Sequence, residues 1–244
     1  MEVHSHSHTP RRKWTHYFWE FLMLFLAVFC GFLAEYQLEH KIERDRGKQY
    51  VQSLIQDLKL DTTRLSEIIK LRESRDEKVD SLSYLFNKPD AAAHGSDIYY
   101  LTRFLTRSLN VRFYSNDGTM QQLKNAAGLR LIRKQDIVDS IIGYDVATRT
   151  LYAQTQVEHI ILDEFRSEVA KFFDGRVFDG MLDEESSISR PAGNPVFEPI
   201  GDKPFQFYTR LHYVNSINRI NKKVNISLLN RATNLLQLLQ KNIT

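Results

Sequence analysis

The hydrophobic pattern of this chain consists of one unbroken apolar run followed by three long series of periodic apolar residues. The run covers the fourteen residues from Phe21 to Ala34. A helix of that length spans roughly 21 Å, which is short of the roughly 30 Å hydrocarbon core of a bilayer. Aromatic residues on both flanks extend the apolar surface to the roughly 20 residues that a span needs. The pattern therefore predicts a transmembrane anchor at 14–36, behind a short polar tail at 1–13.

The apolar run fits either a retained anchor or a cleaved signal peptide. Cleavage needs small residues at both ends of an Ala-x-Ala pattern, and Phe32-Leu33-Ala34 has only one. The sequence therefore favours a retained signal anchor. Glu20 lies near one end of the span, where we expect its carboxylate to reach head groups, because the span lacks polar partners for a buried acid.

The charges around the anchor predict its orientation. Arg11, Arg12 and Lys13 directly precede it, and basic residues close to a span favour the cytoplasmic side. Basic residues also follow the span, but they begin farther from it: Lys41, Arg44, Arg46 and Lys48. We therefore expect a single-pass protein of the cell inner membrane, with a cytoplasmic N-terminus and a periplasmic soluble domain.

The first periodic series follows the anchor and continues to Phe86. Its residues recur at alternating steps of three and four, which is the spacing of a helix with one buried face and of a coiled-coil seam. Eight of its eleven positions are apolar: Val51, Leu54, Leu58, Leu65, Ile68, Val79, Leu82 and Phe86. The other three are Asp61, Arg72 and Arg75. Because no proline interrupts this stretch, the anchor helix can continue into it as one rod.

Two further series predict long helices at 134–173 and 205–241. The second series comprises Ile137, Ile141, Tyr144, Leu151, Leu162, Phe165, Val169 and Phe172, with Thr148, Thr155 and Glu158 at polar positions. The third comprises Val214, Ile217, Val224, Leu228, Leu235 and Leu238, with Asn221 and Arg231 in the same register. Asn218, Asn221 and Asn225 share one face of the last helix. They either form a buried polar layer that sets register or, as we expect, some of them are exposed.

Turn-forming residues break the periodicity between the long helices. One short helix is predicted after a cap at Ser96 or Asp97, continuing to about residue 110. Another is predicted to end at Gly128 in a left-handed cap. Residues 174–204 contain four prolines and are predicted to form an irregular loop, either functional or mobile.

These elements together predict an all-α fold. It consists of an N-terminal transmembrane helix followed, at 37–244, by an elongated up-down helical bundle with coiled-coil-like seams. No run of alternating apolar and polar residues predicts a sheet.

The net charge limits the classes of partner, and the cysteine content limits the disulfides that can form. The formal net charge is +3, and residues 1–13 contribute +2 of it (Arg11, Arg12 and Lys13 against Glu2). The nearly neutral remainder argues against a nucleic-acid partner. The single cysteine, Cys30, lies within the anchor, so the soluble domain can form no disulfide.

The candidate metal ligands do not have the spacing of a metal site. His159 and Asp163 share a helix face next to Glu158, but a di-metal site in a bundle needs Glu-x-x-His pairs, and the sequence has none. Three histidines alternate with serines in what we expect to be a polar tail: His4, His6 and His8. An acidic patch lacks the order of an EF-hand loop: Asp179, Asp183, Glu184 and Glu185.

Motifs of catalysis are not recognisable in the sequence. It contains no glycine-rich phosphate loop, nucleophile elbow or Cys-x-x-Cys pair. We therefore predict no catalytic residue, no cofactor-binding residue and no metal ligand, and we expect that the protein is not an enzyme.

Several short motifs resemble those of one family of membrane proteins. They are Lys13-Trp14, Gly31-Phe32-Leu33-Ala34-Glu35, Arg44-Asp45-Arg46, the stretch from Tyr50 to Leu58, and the stretch from Leu123 to Ile132. In these motifs the chain is similar to a family of uncharacterised single-pass membrane proteins of Bacteroidota. The resemblance covers most of the chain and is strongest at the anchor. It implies a membrane location and a helical domain, and it carries no known activity or site residue.

The combination of one anchor with long apolar seams favours a membrane-anchored helical interaction or scaffold protein of the cell envelope. Its expected partners are the lipid bilayer, through the anchor, and a protein or second copy, through the seam from Val51 to Phe86. One alternative is a ligand-binding sensor domain that signals through a partner, since bundles bind small molecules between helices. Another alternative is an unrecognised envelope hydrolase that uses the loop 174–204.

Overall fold

The structure, a computed structural model, describes residues 14–107, 111–125, 128–184, 187–197 and 204–243. Within these residues the fold is all-α, as the hydrophobic pattern predicted, and its helices pack against each other in a bundle. The β-structure in the described ranges is one isolated antiparallel bridge, between Leu182 and Ile188. The chain divides into two compact units, and the division falls between Gln49 and Tyr50.

Three long helices carry the three periodic series. The α-helices of the described residues are α1 (Trp14–Phe86), α2 (Gly95–Thr106), α3 (Gly118–Asn125), α4 (Gln135–Val169), α5 (Gly175–Asp179) and α6 (Pro204–Ile243). Short 3-10 helices precede α2 at Ala91–His94 and follow α3 at Gly128–Leu131. The helix α1 is continuous across the division between the units, as the absence of proline allowed.

The first unit is described at residues 14–49 and exposes its apolar side chains. An 18-residue window of α1 has a mean hydropathy of 2.0, and none of its residues is buried. Phe25 stacks on Phe21 and Phe29 with ring centroids 6.3 and 5.9 Å apart, which forms an aromatic ladder on the helix surface. By length and composition α1 can therefore cross a membrane.

Glu20 has a polar partner, which the sequence analysis did not expect. His16 lies one helical turn earlier, and its Nε2 atom is 3.1 Å from a carboxylate oxygen of Glu20. Both side chains are about half exposed. The pair occupies the N-terminal end of the predicted span, where such groups reach head groups and water.

The second unit buries the three seams against one another. All eleven seam positions of α1 are buried or half-buried, and so are those of α4. On α6 the strict alternation of three and four covers ten buried residues: Phe207, Leu211, Val214, Asn218, Asn221, Asn225, Leu228, Ala232, Leu235 and Leu239. The seam of α1 therefore packs against other helices of the same chain, and a partner along Val51 to Phe86 stays a prediction.

The register near the end of α6 differs from the prediction by one residue. The structure exposes Arg231 and buries Ala232, and it buries Leu239 more deeply than Leu238. The prediction followed apolar residues and passed over two asparagines. Once Asn218 and Asn225 are counted as seam positions, the alternation of three and four leads to Ala232 and Leu239.

The start of α2 has a close approach of the loop and no side-chain cap. The helix begins at Gly95, and neither Ser96 nor Asp97 caps it, so that prediction is wrong. A side chain at Gly95 would collide with the carbonyl oxygen of Pro195. Asp97 instead pairs with Arg190 at 2.7 Å. The predicted end of this helix near residue 110 lies outside the described residues, and α2 ends at Thr106.

Gly128 does not form a left-handed cap, which corrects the prediction for the end of α3. It begins a 3-10 helix, and the described glycine with positive φ is Gly193, at 72°. A Cβ atom at Gly128 would lie 3.1 Å from the α-carbon of Leu123. The absence of a side chain at Gly128 therefore allows the backbone there to lie close to Leu123.

The loop 174–204 is held against α2 in its described parts. The Asn194 side chain accepts a hydrogen bond from the backbone N–H of Ser96 at 3.1 Å. The hydroxyl of Tyr99, a fully buried residue of α2, donates to the carbonyl of Val196 at 3.1 Å. The described parts of the loop are irregular, as predicted, apart from α5 and one bridge.

Candidate functional site

Six buried polar residues of the second unit lie together between two apolar cores. The first core includes Leu58, Leu65, Leu151 and Leu228, and the second includes Leu82, Phe165, Phe207 and Leu211. Along α1 the polar positions fall between Ile68 of the first core and Val79 of the second. We call this set the polar layer: Arg72, Arg75, Glu158, Asn218, Asn221 and Asn225, each at most 3% exposed.

An ion pair between Arg72 and Glu158 forms the centre of the polar layer. Arg72 donates from Nη1 to Oε1 at 3.1 Å and from Nη2 to Oε2 at 2.9 Å, which is the bidentate geometry of strong guanidinium–carboxylate pairs. Asn221 also donates to Oε2, at 2.8 Å. Because these three residues belong to α1, α4 and α6, the pair connects all three long helices.

Two further contacts bind the terminal nitrogens of Arg72, whereas its Nε has no hydrogen-bond partner among the described residues. Its Nη1 donates to Oδ1 of Asn218 at 3.1 Å, and its Nη2 donates to the carbonyl of Val111 at 3.2 Å. The Asn218 amide in turn donates to the Arg72 carbonyl at 2.9 Å and to Asp76 at 2.7 Å. Asp76 also pairs with Lys222 of α6. These bonds fix the axial alignment of α1 and α6.

The environment of Glu158 favours its charged form. Burial alone would raise the pKa of this carboxyl, but hydrogen bonds from Arg72 and the charges of Arg72 and Arg75 outweigh burial and hold the pKa below its usual value. Glu158 is therefore ionised at neutral pH, and the pair is a true buried salt bridge.

Arg75 and Arg166 cap the C-terminal end of α2. Arg75 donates to the carbonyls of Leu105 at 2.9 Å and Arg107 at 3.3 Å, and Arg166 donates to that of Thr106 at 2.8 Å. The last carbonyls of a helix have no partner within it, so this arrangement replaces water at a buried helix end.

Arg75 stays charged at neutral pH in spite of its burial. Burial is the largest influence and lowers the pKa of its guanidinium to about 10, with further lowering by the charges of Arg72 and Arg166 and an opposing effect of Glu158. The polar layer thus contains two buried guanidinium groups and one buried carboxylate.

The three asparagines of α6 are all buried, so the expectation that some are exposed was wrong. Asn218 and Asn221 bond to the ion pair, whereas neither amide atom of Asn225 has a hydrogen-bond partner among the described residues. An unpaired buried amide costs on the order of 1–3 kcal/mol. Asn225 is therefore the least satisfied member of the polar layer.

A second buried polar contact lies within the first core. Asp61 accepts a hydrogen bond from the Tyr144 hydroxyl at 2.6 Å and two from Asn116, both at 2.9 Å. Burial raises the pKa of the Asp61 carboxyl in spite of these bonds, and burial followed by the Asp61 charge raises the pKa of Tyr144. The contact ties the turn before α3 to α1 and α4.

The other candidate residues do not converge on a site in the described part of the chain. His159 bonds through Nδ1 to Arg112 at 2.9 Å, and Asp163 pairs with Arg166 at 2.6 Å. Burial and the charge of Arg112 lower the pKa of His159. The described residues contain no group of three metal-ligating side chains. The early histidines (His4, His6 and His8) and Glu185 lie outside the described residues.

Sequence periodicity identified part of the polar layer and missed the rest. It placed Arg72, Arg75 and Glu158 in seam positions but did not pair them, and it missed the capping of α2. Comparisons with models of protein families, with curated proteins and with solved structures found no match for this chain. Its function is therefore inferred from its own residues.

Proposed function

We propose that the chain is a membrane-anchored helical interaction protein of the cell envelope. Residues 14–36 lie in the bilayer, and the bundle of the second unit is a periplasmic scaffold. The observation that carries this proposal is the apolar window of α1, in which no residue is buried. Exposed apolar surface of this extent marks a site that contacts a membrane or another protein. The proposal assigns the chain no reaction.

A second apolar surface supports a protein partner for the bundle. Four β-branched residues on α4 are exposed: Ile142, Val146, Val157 and Ile160, at 45, 47, 46 and 62%. At 100° per residue they fall within an arc of about 60°, opposite the buried seam of α4. We call them the outer row. Single exposed apolar residues are common, but a row along one helix face is typical of a helix that packs against another protein.

Photo-crosslinking in intact cells tests the outer row. A benzophenone side chain replaces Val157 in the full-length chain, and the matched control carries it at Glu67, an exposed position of α1. We expect a discrete adduct after irradiation from position 157 and none from position 67. An adduct of twice the chain mass identifies a second copy, and any other mass identifies a different partner. Absence of an adduct at positions 157 and 146 alike would contradict the interaction role.

The orientation requires its own experiment. Fusions at the C-terminus to one reporter that is active only outside the cytoplasm and to another that is active only inside distinguish the two topologies. The basic residues before the anchor support the outside result. An active inside reporter would place the bundle in the cytoplasm and contradict the periplasmic assignment.

A ligand-binding sensor that signals through a partner is the second candidate, and one feature favours it. A groove of about 530 Å³ lies along α4 and α6 and is lined by Asp139, Gly143, Arg231 and Leu235, among others. Ligand sites have volumes of roughly 300–1,000 Å³. A thermal-shift screen of small anions and amphiphiles against the full chain tests this candidate. A hit that is lost in Gly143→Leu would support it, and a screen without hits would count against it.

A further inference from the structure

A small cavity lies beside the buried guanidinium group of Arg75. Its volume is about 50 Å³, and it is lined by Leu71, Arg75, Phe104, Arg107 and Val111. A space of this size holds one small ion or a few waters.

Among the described residues, the lining of the cavity has two possible anion donors and no carboxylate. Arg75 is 2% exposed, and its Nε–H has no hydrogen-bond partner among the described residues. Its two terminal nitrogens already bond to carbonyls at the end of α2. Arg107, half-buried, makes no side-chain hydrogen bond or ion pair with any described residue. Two cationic groups with free donors thus line one small space.

The surrounding charges are also mainly positive. The carboxylate of Glu158 is already held by both terminal nitrogens of Arg72 and by Asn221. The ammonium group of Lys78 lies 4.3 Å from the ring centroid of Phe104, a lining residue. Within the polar layer one buried carboxylate faces two buried guanidinium groups, and the nearby carboxylate of Asp76 is held by Asn218 and Lys222. A buried excess of positive charge is costly unless an anion compensates it.

From this geometry we infer that the cavity binds one small monovalent inorganic anion, of the size of chloride, between Arg75 and Arg107. The bound ion accepts the Nε–H of Arg75 and a donor of Arg107, and it neutralises the excess charge of the polar layer. The ion links α1 to the end of α2 and so stabilises the folded bundle. This inference is independent of the partner and of the orientation proposed above.

Thermal unfolding of the full chain in detergent micelles tests the inference, with chloride as the probe. Sodium chloride replaces sodium gluconate at constant ionic strength, because gluconate is a much larger anion than chloride. Binding in the low millimolar range would raise the Tm by about 3–6 °C between zero and about 100 mM chloride. Arg107→Gln removes one donor and should abolish the rise. Leu71→Phe fills the cavity from a half-buried position and should do the same.

Arg64→Gln is the matched control, because it removes an exposed arginine of α1 and should keep the full chloride response. Leu71→Phe keeps the test decisive if Arg107→Gln does not fold. Equal Tm values of the unmodified chain in chloride and gluconate would overturn the inference. A chloride response that persists in both Arg107→Gln and Leu71→Phe would also overturn it.

Discussion

The two units of this chain place apolar and charged side chains in opposite ways. The first unit exposes large apolar residues, such as Leu24 and Phe32, each at 68%. The second unit buries Arg72 and Glu158 at 0 and 3%. Either arrangement would be unfavourable in the setting of the other. Exposed apolar surface is stable in lipid, whereas buried charges are stable when they are paired and hydrogen-bonded.

The comparison teaches that burial alone does not define a stable environment for a side chain. The stability of the first unit depends on the solvent around it, because its apolar residues have no protein partner in the described window. The polar layer depends on geometry, because each charge needs its partner at hydrogen-bond distance. A buried ion pair is weak evidence for stability and is better attested as a device that fixes register. The layer therefore specifies how α1, α4 and α6 align.

Removal of one partner of the ion pair should have the largest effect. Glu158→Leu leaves Arg72 charged and buried without its carboxylate, and we expect the free energy of unfolding to fall by about 3–5 kcal/mol. Urea unfolding of the full chain in micelles measures it. The control Glu164→Leu, on the exposed face of the same helix, should change stability by about 1 kcal/mol or less. Equal losses in the two variants would show that burial does not distinguish the two carboxylates.

Removal of both partners should restore most of that loss. Arg72→Met combined with Glu158→Leu replaces two buried charges by apolar side chains, and such replacements are often neutral or stabilising by about 1–4 kcal/mol. The same urea titration completes the double-mutant cycle. If the double variant were as unstable as the sum of the two single variants, the pair would be two independent contributions instead of one unit.

Helix geometry explains which parts of this fold were predictable. Residues at alternating steps of three and four share one face, so the sequence located the seams and flagged Asp61, Arg72 and Glu158 within them. It could not pair the charges, because pairing depends on how far α1 and α4 slide past each other. The capping of α2 by Arg75 is non-local for the same reason. The register error at Arg231 arose because asparagines were not counted as seam residues.

Two asparagine substitutions form a matched pair with smaller expected effects on the free energy of unfolding. Asn221→Leu removes a hydrogen bond to the ionised Glu158, and we expect a loss of about 1.5–3 kcal/mol. Asn225→Leu removes an amide without a described partner, and we expect a gain of about 1 kcal/mol or more from the same substitution on the same helix face. Equilibrium unfolding of both variants gives the comparison. Destabilisation by Asn225→Leu would indicate that this amide is hydrogen-bonded in solution.

The buried acids Glu158 and Asp61 should respond to pH in opposite directions, and these effects are the smallest expected. The folded pKa of Glu158 is lowered, so its contribution is present above the unfolded value of about 4.5 and is lost as pH falls towards the folded pKa. The folded pKa of Asp61 is raised, so its ionisation costs stability above that pKa, and the cost disappears on acidification. Unfolding between about pH 7 and 3 should show a shallower acid loss in Glu158→Gln and a steeper one in Asp61→Asn. Parallel curves for these variants and the unmodified chain would contradict both assignments.

Alkaline carbonate extraction of cell membranes most directly tests whether lipid is the partner of the exposed apolar residues. The full chain, tagged at both ends, is compared with a variant that carries Leu24→Arg and Phe25→Asp in the apolar window of α1. A charge at the centre of a span costs roughly 2.5–3.5 kcal/mol, so two charges should prevent stable insertion. The account predicts that the unmodified chain stays in the membrane pellet with both tags and that the variant enters the soluble fraction. Release of the unmodified chain by carbonate, or loss of its N-terminal tag, would contradict the account.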